Sequence, residues 1–285
     1  RDDEEPVVPT SFGWTDDAIG GGLPVGGLVA LVAPPSVGKS ALALQWIVGA
    51  LLRDTSLRAV WAAGEMTMKG IGKRLVAVGS GLVDGCERVR KNDASRQTAR
   101  SGSARAAVAA AVGDRLTFVQ PPLTVAKIDA AVSETGAQVC MVDYLQLVTV
   151  PDGGRDRVAD LDRVIGGIRN IATGRDAAVI VASSMSKVAG TTSRAGQLAR
   201  GSAELDYAAD IIFLGDCADL DRDGKPVEAP DGTIGVNWRC RKNRNGEPHD
   251  LILRFEGDYQ TYGPGTVVEE YAELGAGAFA GGRPR

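Results

Sequence analysis

The chain has 285 residues, of which 44% are hydrophobic and 24% charged, so it is long enough and apolar enough to fold around a full core. Its net charge of -4 excludes a globally basic nucleic-acid binder, although a locally basic channel remains compatible with it. One histidine and four scattered cysteines exclude histidine-based metal sites and Ser-His triads, and they predict reduced thiols in a cytoplasmic protein.

The first part of the chain predicts an arm, a strand and a buried helix. Residues 1–12 are acidic and contain prolines, which indicates an arm or linker, and the start at Arg1 rather than Met indicates a piece of a longer protein. A strand is predicted over 28–33 and a helix over 39–52. The apolar run of that helix is shorter than the roughly 20 residues of a membrane span, so no membrane association is expected.

Strands and helices then alternate along the chain. Helices are predicted over 69–78, 125–135 and 158–173, and strands over 58–63, 116–119, 139–143 and 177–183. A stretch over 86–105, rich in Arg, Lys and Ser, has no clear period and is interpreted as a solvated loop leading into a helix, with a DNA contact as the alternative. This alternation predicts an α/β fold with a mostly parallel, twisted sheet and helices on both faces.

The C-terminal part of the predicted domain departs from this alternation of strands and helices. The segments 232–241 and 249–255 are interpreted as a C-terminal antiparallel hairpin, joined by Asn243-Arg244-Asn245-Gly246, in which Asn-Gly is a dipeptide typical of hairpin turns. Residues 263–285 are rich in Gly and Ala and predict a flexible tail. The chain therefore reads as one domain over 13–262, between an arm and a tail.

A phosphate-binding loop follows the first predicted strand. The letters A-P-P-S-V-G-K-S over 33–40 match the Walker A pattern except that Ala stands in the place of its first Gly. Such a loop wraps backbone N–H groups around the β-phosphate, while its lysine reaches the β- and γ-oxygens and its hydroxyl binds magnesium. The predicted cofactors are ATP and Mg²⁺, bound by Ala33, Pro34, Pro35, Ser36, Val37, Gly38, Lys39, Ser40 and Ala41.

Two acids end predicted strands. Ligands of open parallel sheets bind at the carboxyl ends of the strands, so Asp143 is predicted to face the magnesium that Ser40 holds. A helix cap or a surface charge is the alternative for Asp143. Glu65 is suited to polarise the water that attacks the γ-phosphate, and its alternative is to cap the helix that begins near Thr67.

Six segments of the chain share one order and spacing with a known family. They are 33–44, 64–67, 142–147, 183–187, 200–210 and 241–246, and together they span roughly 25–262. In these segments the chain resembles the motor domain of DnaB-type replicative helicases. The resemblance implies a RecA-like P-loop NTPase core, a hexameric ring, and ATP-driven movement along single-stranded DNA in the 5′-to-3′ direction.

The resemblance also implies residue roles. Within the nucleotide site it makes Lys39 and Ser40 the ligands of phosphate and magnesium, Glu65 the catalytic carboxylate, Asp143 the magnesium-associated acid and Gln146 a γ-phosphate sensor. Ser184 stands where the family often has Gln, and Gly201 where it usually has an acid.

The hairpin residues Lys242 and Arg244 match the pair that reaches into the nucleotide of the neighbouring subunit. An arginine finger supplied in this way can contribute about 10³–10⁵ in rate, because it stabilises charge on the transferring phosphoryl group. A solvated basic turn, or charges that guard an exposed sheet edge, is the alternative.

Two polar loops are the predicted DNA contacts. On a RecA-like sheet the loops over 152–157 and 187–200 would face the central channel of a ring, where several copies of a few arginines make the surface positive. Neither loop contains an aromatic residue, so phosphate contacts are expected rather than base stacking. Ordinary solvated loops are the alternative. The residues in question are Arg155, Arg157, Lys187, Arg194, Arg200 and Gly201.

Three functions remain open from the sequence. The first is a ring-forming, single-stranded-DNA-dependent ATPase, a helicase or its motor domain, with loader or primase contacts through an absent N-terminal region. The second is a RecA-like ATPase similar to RadA or KaiC that does not unwind DNA. The third is a nucleotide-binding assembly module, against which Glu65 and Arg244 argue, because a static site needs neither.

Overall fold

A computed structural model describes residues 5–151, 153–154, 156–184, 203–222 and 224–265. The helices within these ranges are α1 (Gly13–Asp16), α2 (Lys39–Arg53), α3 (Met68–Ser80), α4 (Ala99–Val112), α5 (Val125–Thr135), α6 (Arg157–Arg175) and α7 (Glu204–Ala208). The strands are β1 (Val7–Val8), β2 (Leu23–Pro24), β3 (Leu28–Ala33), β4 (Ala59–Ala63), β5 (Leu116–Val119), β6 (Leu123–Thr124), β7 (Val139–Asp143), β8 (Val148–Thr149), β9 (Ala178–Ser184), β10 (Ile211–Cys217), β11 (Thr233–Asn243), β12 (Leu251–Glu256) and β13 (Thr261–Pro264).

One nine-stranded sheet organises the molecule, in the order β13-β12-β11-β10-β3-β9-β7-β4-β5. The strands from β10 to β5 in this order pair in parallel, and β11, β12 and β13 add an antiparallel end. Two short pairs, β1 with β2 and β6 with β8, lie outside it. The prediction of a mostly parallel sheet with an antiparallel C-terminal part is therefore confirmed.

Helices cover both faces of this sheet. Successive side chains of a strand point to opposite faces, so β3 sends Val29 and Leu31 to one side and Leu28 and Ala30 to the other. The first set packs with α2, α3 and α4, and the second packs with α5, α6 and α7. Burial on both faces is why β3 is a continuous apolar run rather than an alternating one.

Several elements of the structure have no counterpart among the predicted ones, namely the strands β10 and β13 and the short elements α1, α7, β1, β2, β6 and β8. The strand β10 pairs with β3 in the middle of the sheet and β13 closes its antiparallel end, while α4 is the helix into which the stretch over 86–105 is predicted to lead. That stretch is only partly solvated, because Val89, Ala94 and Ala104 pack together in a small core of their own.

The antiparallel hairpin is present, and its connection extends beyond the Asn-Gly turn. Pairing between β11 and β12 starts at Trp238 and Leu251, whereas β11 continues to Asn243, which pairs with Ile211 of β10. The side chain of Asn243 closes the loop by accepting from the N–H of Asn245 at 2.9 Å. The predicted hairpin is thus confirmed, and its connection is long because β11 runs past its partner to complete the pairing with β10.

Part of the predicted arm packs on the domain. Val8 of β1 is buried and pairs with Leu23 of β2, and Thr10 is fully buried. The hydroxyl of Ser11 donates to the carbonyl of Gly49 in α2 at 3.0 Å. Across the described residues, no helix combines the length and the apolar character needed to cross a membrane.

Candidate nucleotide site

The carboxyl ends of four neighbouring parallel strands meet at one edge of the sheet. Ala33 at the end of β3 pairs with Ser184 at the end of β9, and Ala63 at the end of β4 pairs with Asp143 at the end of β7. A cleft of about 880 Å³ opens at this edge. The strand order thus gathers side chains from four distant segments, as the general rule for open parallel sheets predicts.

The loop over 34–38 between β3 and α2 has the backbone of a phosphate-binding loop. Ser36 and Gly38 adopt positive φ angles of 70° and 93°, a conformation that favours glycine and is uncommon for serine. The ammonium of Lys39 donates to the carbonyls of Ala33 and Pro34, at 2.8 and 3.0 Å, so it lies across the inside of the loop. The positive end of the α2 dipole faces the cleft, where it favours an anion.

Asp143 and Ser40 lie together beside the lysine. Burial raises the pKa of Asp143, which is only 3% exposed, while a hydrogen bond from the Ser40 hydroxyl and the charge of Arg74 act in the opposite direction. Burial also lowers the pKa of Lys39, and the charges of Asp143 and Glu65 oppose that shift. A hydroxyl and a carboxylate are oxygen donors of the kind that Mg²⁺ binds while keeping several waters. The pair therefore fits a magnesium ion.

Glu65 is exposed and lines the cleft two residues after β4. The N-terminus of α3 is capped by the side chain of Thr67, which accepts from the N–H of Gly70 at 3.2 Å. A different residue thus fills the capping role that was the alternative for Glu65. Asp143 likewise is neither a helix cap nor a surface charge, since it is buried at the end of β7.

Gln146, the predicted γ-phosphate sensor, does not line the cleft in this structure. Ser184 lines the cleft, whereas Gln146 donates its amide N–H to the hydroxyl of Ser183 at 2.8 Å. The sensor role of Gln146 stays a prediction.

The far wall of the cleft comes from segments that the sequence did not connect with the nucleotide site. Lys91 belongs to the basic stretch before α4, and its backbone N–H donates to the carbonyl of Asp258 at 2.7 Å. The guanidinium of Arg88 lies 4.0 Å from the ring centroid of Tyr259 in the same turn. This packing brings Lys91 into the cleft, opposite the P-loop. The basic cluster was a visible signal for Lys91; no local pattern pointed to Arg74 of α3, which also lines the cleft.

Lys242 and Arg244 lie at the amino-terminal ends of the parallel strands, on the side of the sheet away from the cleft. Ile234, near the start of β11, lines the cleft, and a strand rises about 3.3 Å per residue, so Asn243 at its end is about 30 Å away. The guanidinium of Arg244 donates to Asp210 at 3.1 Å and to the carbonyl of Tyr207 at 2.9 Å. These two cations are therefore remote from the cleft of their own chain.

Asp210 holds this distal region together. Its carboxylate accepts from the backbone N–H of Leu28 at 2.8 Å, pairs with Arg169 of α6, and binds Arg244 through its other oxygen. The ammonium of Lys242 donates to the carbonyl of Ala209 at 2.6 Å. The side chains of both hairpin cations are thus anchored at the amino-terminal end of β3.

Of the residues assigned to DNA, the structure describes only Arg157. It is exposed at the first position of α6, which follows the cleft edge of the sheet. The others lie outside the described residues, namely Arg155, Lys187, Arg194, Arg200 and Gly201.

Comparisons with known proteins place this architecture among helicase motor domains. The family described as DnaB-like helicase C terminal domain matches residues 7–264. The replicative DNA helicase DnaB of Leifsonia xyli subsp. xyli is 23% identical over 273 residues, which cover 92% of this chain and 57% of that protein. The chain thus spans little more than half the length of this curated relative.

Two solved structures share the fold. One is a DnaB-like replicative helicase studied with its primase interactions, with a TM-score of 0.74 and 21% identity, over 92% of this chain and 64% of that one. The other is an ATPase domain with a TM-score of 0.74 and 22% identity, over 92% of both chains.

Proposed function

Because this chain belongs to the family of DnaB-like helicase C-terminal domains, we propose that it is the ATP-hydrolysing motor of a replicative-type DNA helicase. The observation that carries the proposal is the cleft, where Lys39, Ser40, Glu65 and Asp143 line one cavity at the carboxyl ends of the parallel strands. A static nucleotide site would need the first two residues but has no use for Glu65.

Each residue of the cleft has a distinct task in this proposal. Lys39 leaves the carbonyls of Ala33 and Pro34 and binds the β- and γ-phosphates, while the backbone N–H groups of the loop cradle the β-phosphate. Ser40 and Asp143 hold Mg²⁺, which supplies positive charge to the phosphate oxygens. Glu65 accepts a hydrogen bond from the attacking water and orients it toward the γ-phosphate.

Arg244 acts on the site of a neighbouring copy. Its position about 30 Å from its own cleft supports this assignment, because a side chain cannot span that distance. The proposal therefore includes a ring, hexameric as in the family, whose ATP sites lie between subunits. Lys242 stands beside Arg244 and accompanies it into the neighbouring site.

The proposed track is single-stranded DNA. Arg157, exposed at the start of α6, supplies one phosphate contact, and the remaining contacts come from the polar loops that contain Arg155, Lys187, Arg194, Arg200 and Gly201. Movement is proposed to run from 5′ to 3′, in a cytoplasmic protein, an assignment that the four unpaired cysteine thiols support. Loader and primase contacts are assigned to a region outside this chain.

The decisive measurement is the rate of ATP hydrolysis with and without single-stranded DNA. Lys39→Ala serves as the blank, because it removes the ammonium that binds the phosphates. We expect DNA to stimulate the wild-type chain, and Arg244→Ala to lower kcat by about 10³-fold while nucleotide still binds.

The other functions give different outcomes in the same experiment. Hydrolysis that is indifferent to DNA, together with no strand displacement on a forked duplex, would favour a RecA-like ATPase that does not unwind DNA. Nucleotide binding without hydrolysis, in a chain that forms rings, would favour an assembly module and contradict the motor.

A further inference from the structure

Tyr262 of β13 contacts the P-loop although it lies at the far end of the sheet. Neighbouring strands are about 4.8 Å apart, so a flat sheet would place β13 about 19 Å from β3. Instead the antiparallel end curls over α2, and the buried Tyr262 hydroxyl donates a hydrogen bond to the carbonyl of Val37. The contact joins residues that are 225 positions apart in the chain.

This hydrogen bond acts on one particular peptide group. The carbonyl of Val37 and the N–H of Gly38 belong to the same planar unit, in which the C=O and N–H bonds of a trans peptide point in opposite directions. When Tyr262 holds the carbonyl on the side of the core, the N–H of Gly38 must point away from the core. That N–H belongs to the loop segment whose backbone donors surround a bound phosphate.

Close packing restricts the loop further at Gly38. A Cβ atom built at this position would lie 2.2 Å from the hydroxyl oxygen of Tyr262, so only glycine leaves room for the tyrosine. Gly38 also has a φ of 93°, which independently favours glycine. The tyrosine and the glycine are therefore complementary in shape.

Gln45 fixes Tyr262 on the helix that follows the P-loop. Its buried side chain amide donates to the carbonyl of Tyr262 at 2.9 Å and accepts from the backbone N–H of Tyr262 at 2.6 Å. The ring of Tyr262 packs against Phe255 with 4.7 Å between centroids, and Phe255 itself lines the cleft. The tyrosine thus has little freedom to move independently of α2. Burial raises the pKa of its hydroxyl, which keeps the proton it donates.

We propose that Tyr262 is a positioning residue for nucleotide binding: its hydroxyl holds the Val37–Gly38 peptide with the N–H of Gly38 directed at the phosphate. Gln45 holds the backbone of Tyr262, and Phe255 packs against its ring. This inference rests on the proposed function, because it requires that the loop binds a nucleotide phosphate. It assigns a binding role to the antiparallel end of the sheet, which contains no part of the P-loop motif.

The test is Tyr262→Phe, which removes the hydroxyl and keeps the ring. Tyr259→Phe is the matched control, because it makes the same change three residues away, where the hydroxyl lies beside Arg90. The dissociation constant for Mg-ADP is measured by calorimetry, together with the thermal midpoint of the chain without nucleotide. Amide hydrogen exchange of the peptide over 33–42 provides a readout that needs no nucleotide.

We expect Tyr262→Phe to weaken ADP binding about fivefold, the scale of one net hydrogen bond, and to accelerate exchange over 33–42. Tyr259→Phe should leave both quantities at their wild-type values. A lower thermal midpoint with unchanged ADP affinity would show a merely structural role and overturn the inference. If the wild-type chain bound no nucleotide, the proposed function would fall and the inference with it.

Discussion

Lys39 and Asp143 are opposite charges enclosed in one cleft, and burial shifts each of them toward its neutral form. The pKa of Lys39 is lowered and that of Asp143 is raised, with their mutual attraction acting against both shifts. Asp143 therefore keeps its proton to a higher pH than an ordinary aspartate. The same oxygens that bind the proton are the ones proposed to bind magnesium, so the two ligands compete.

Magnesium-dependent nucleotide affinity should consequently rise with pH. Because the pKa of Asp143 is raised, the window of increasing affinity begins near the ordinary value of about 3.9 and extends above it. The measurement is the ratio of ADP affinities with and without Mg²⁺ between pH 5 and pH 8, roughly the range in which many domains are most stable.

Asp143→Asn provides the comparison for this pH prediction. The phosphates of ADP titrate equally with both proteins, so the difference between the two profiles isolates the carboxyl group. We expect the variant to bind ADP with little response to Mg²⁺ at any pH. A variant whose Mg²⁺ response follows the wild-type profile would remove Asp143 from the metal site.

At the scale of elements, α2 is the helix on which the N-terminal segment and the P-loop converge. Its face toward the N-terminus has no side chain at Gly49, and a Cβ there would lie 2.2 Å from the carbonyl oxygen of Thr10 and 2.8 Å from the ring of Phe12. The indole N–H of Trp46, one turn earlier, donates to Thr15 at 3.0 Å. The missing side chain thus lets the residues before α1 lie directly on the helix.

This packing can be tested by comparing how alanine at Gly49 and alanine at Gly166 change the stability of the chain. Alanine favours a helix over glycine by roughly 0.5–1 kcal/mol, and Gly166 in α6 has open space where its Cβ would be. Gly166→Ala should therefore raise the free energy of unfolding by up to about 1 kcal/mol. Gly49→Ala should lower it by about 1–3 kcal/mol, because the methyl group displaces the backbone at Thr10.

Urea unfolding of both variants gives the comparison. A similar gain in stability at the two positions would mean that the segment before α1 does not pack on α2. In that case residues 5–12 would be the arm or linker that the composition of this segment predicts.

At the scale of the whole molecule, the sheet separates the cleft from the arginine proposed to act on a neighbouring copy. The cleft with the P-loop lies at the carboxyl ends of the parallel strands, whereas Arg244 lies beside Asp210 at their amino-terminal ends. A closed ring of identical copies repeats one head-to-tail interface, so each interface can join the cleft of one copy to the Arg244 of the next. Asp210 joins Leu28, Arg169 and Arg244 at this end of the strands.

Mixing two inactive variants should restore hydrolysis. The Lys39→Ala variant has an inactive P-loop but keeps Arg244. The Arg244→Ala variant lacks the arginine but keeps an intact P-loop. In an equal mixture about a quarter of the interfaces join the two intact parts, so about a quarter of the wild-type rate is expected from random assembly.

The double variant Lys39→Ala/Arg244→Ala is the control for this experiment. Mixed with either single variant, it restores nothing, since no interface then contains both intact parts. No recovery in the mixture of single variants, despite mixed rings seen by mass spectrometry, would exclude action of Arg244 on the neighbouring site.

The fold class and the side of the cleft that holds the P-loop, Glu65 and Asp143 could be predicted from the sequence alone. The P-loop can be predicted because its strand, turn and helix are consecutive in the chain, and a local sequence pattern identifies elements that are consecutive. Asp143 and Glu65 follow from one rule, since parallel strands end at the same edge of a sheet. The family resemblance rests on these segments and on three further ones, and the family match over 7–264 confirms it.

The other features of the site depend on contacts that form only in the folded chain. Lys91 enters the cleft because its segment packs on the turn at Asp258, and Tyr262 lies under the P-loop because the end of the sheet curls over α2. The long connection after Asn243 likewise depends on pairing with β10. The physical reason is the same in each case: these contacts join segments far apart in the chain. Their formation depends on strand order, sheet curvature and side-chain fit, none of which leaves a periodic trace in the sequence.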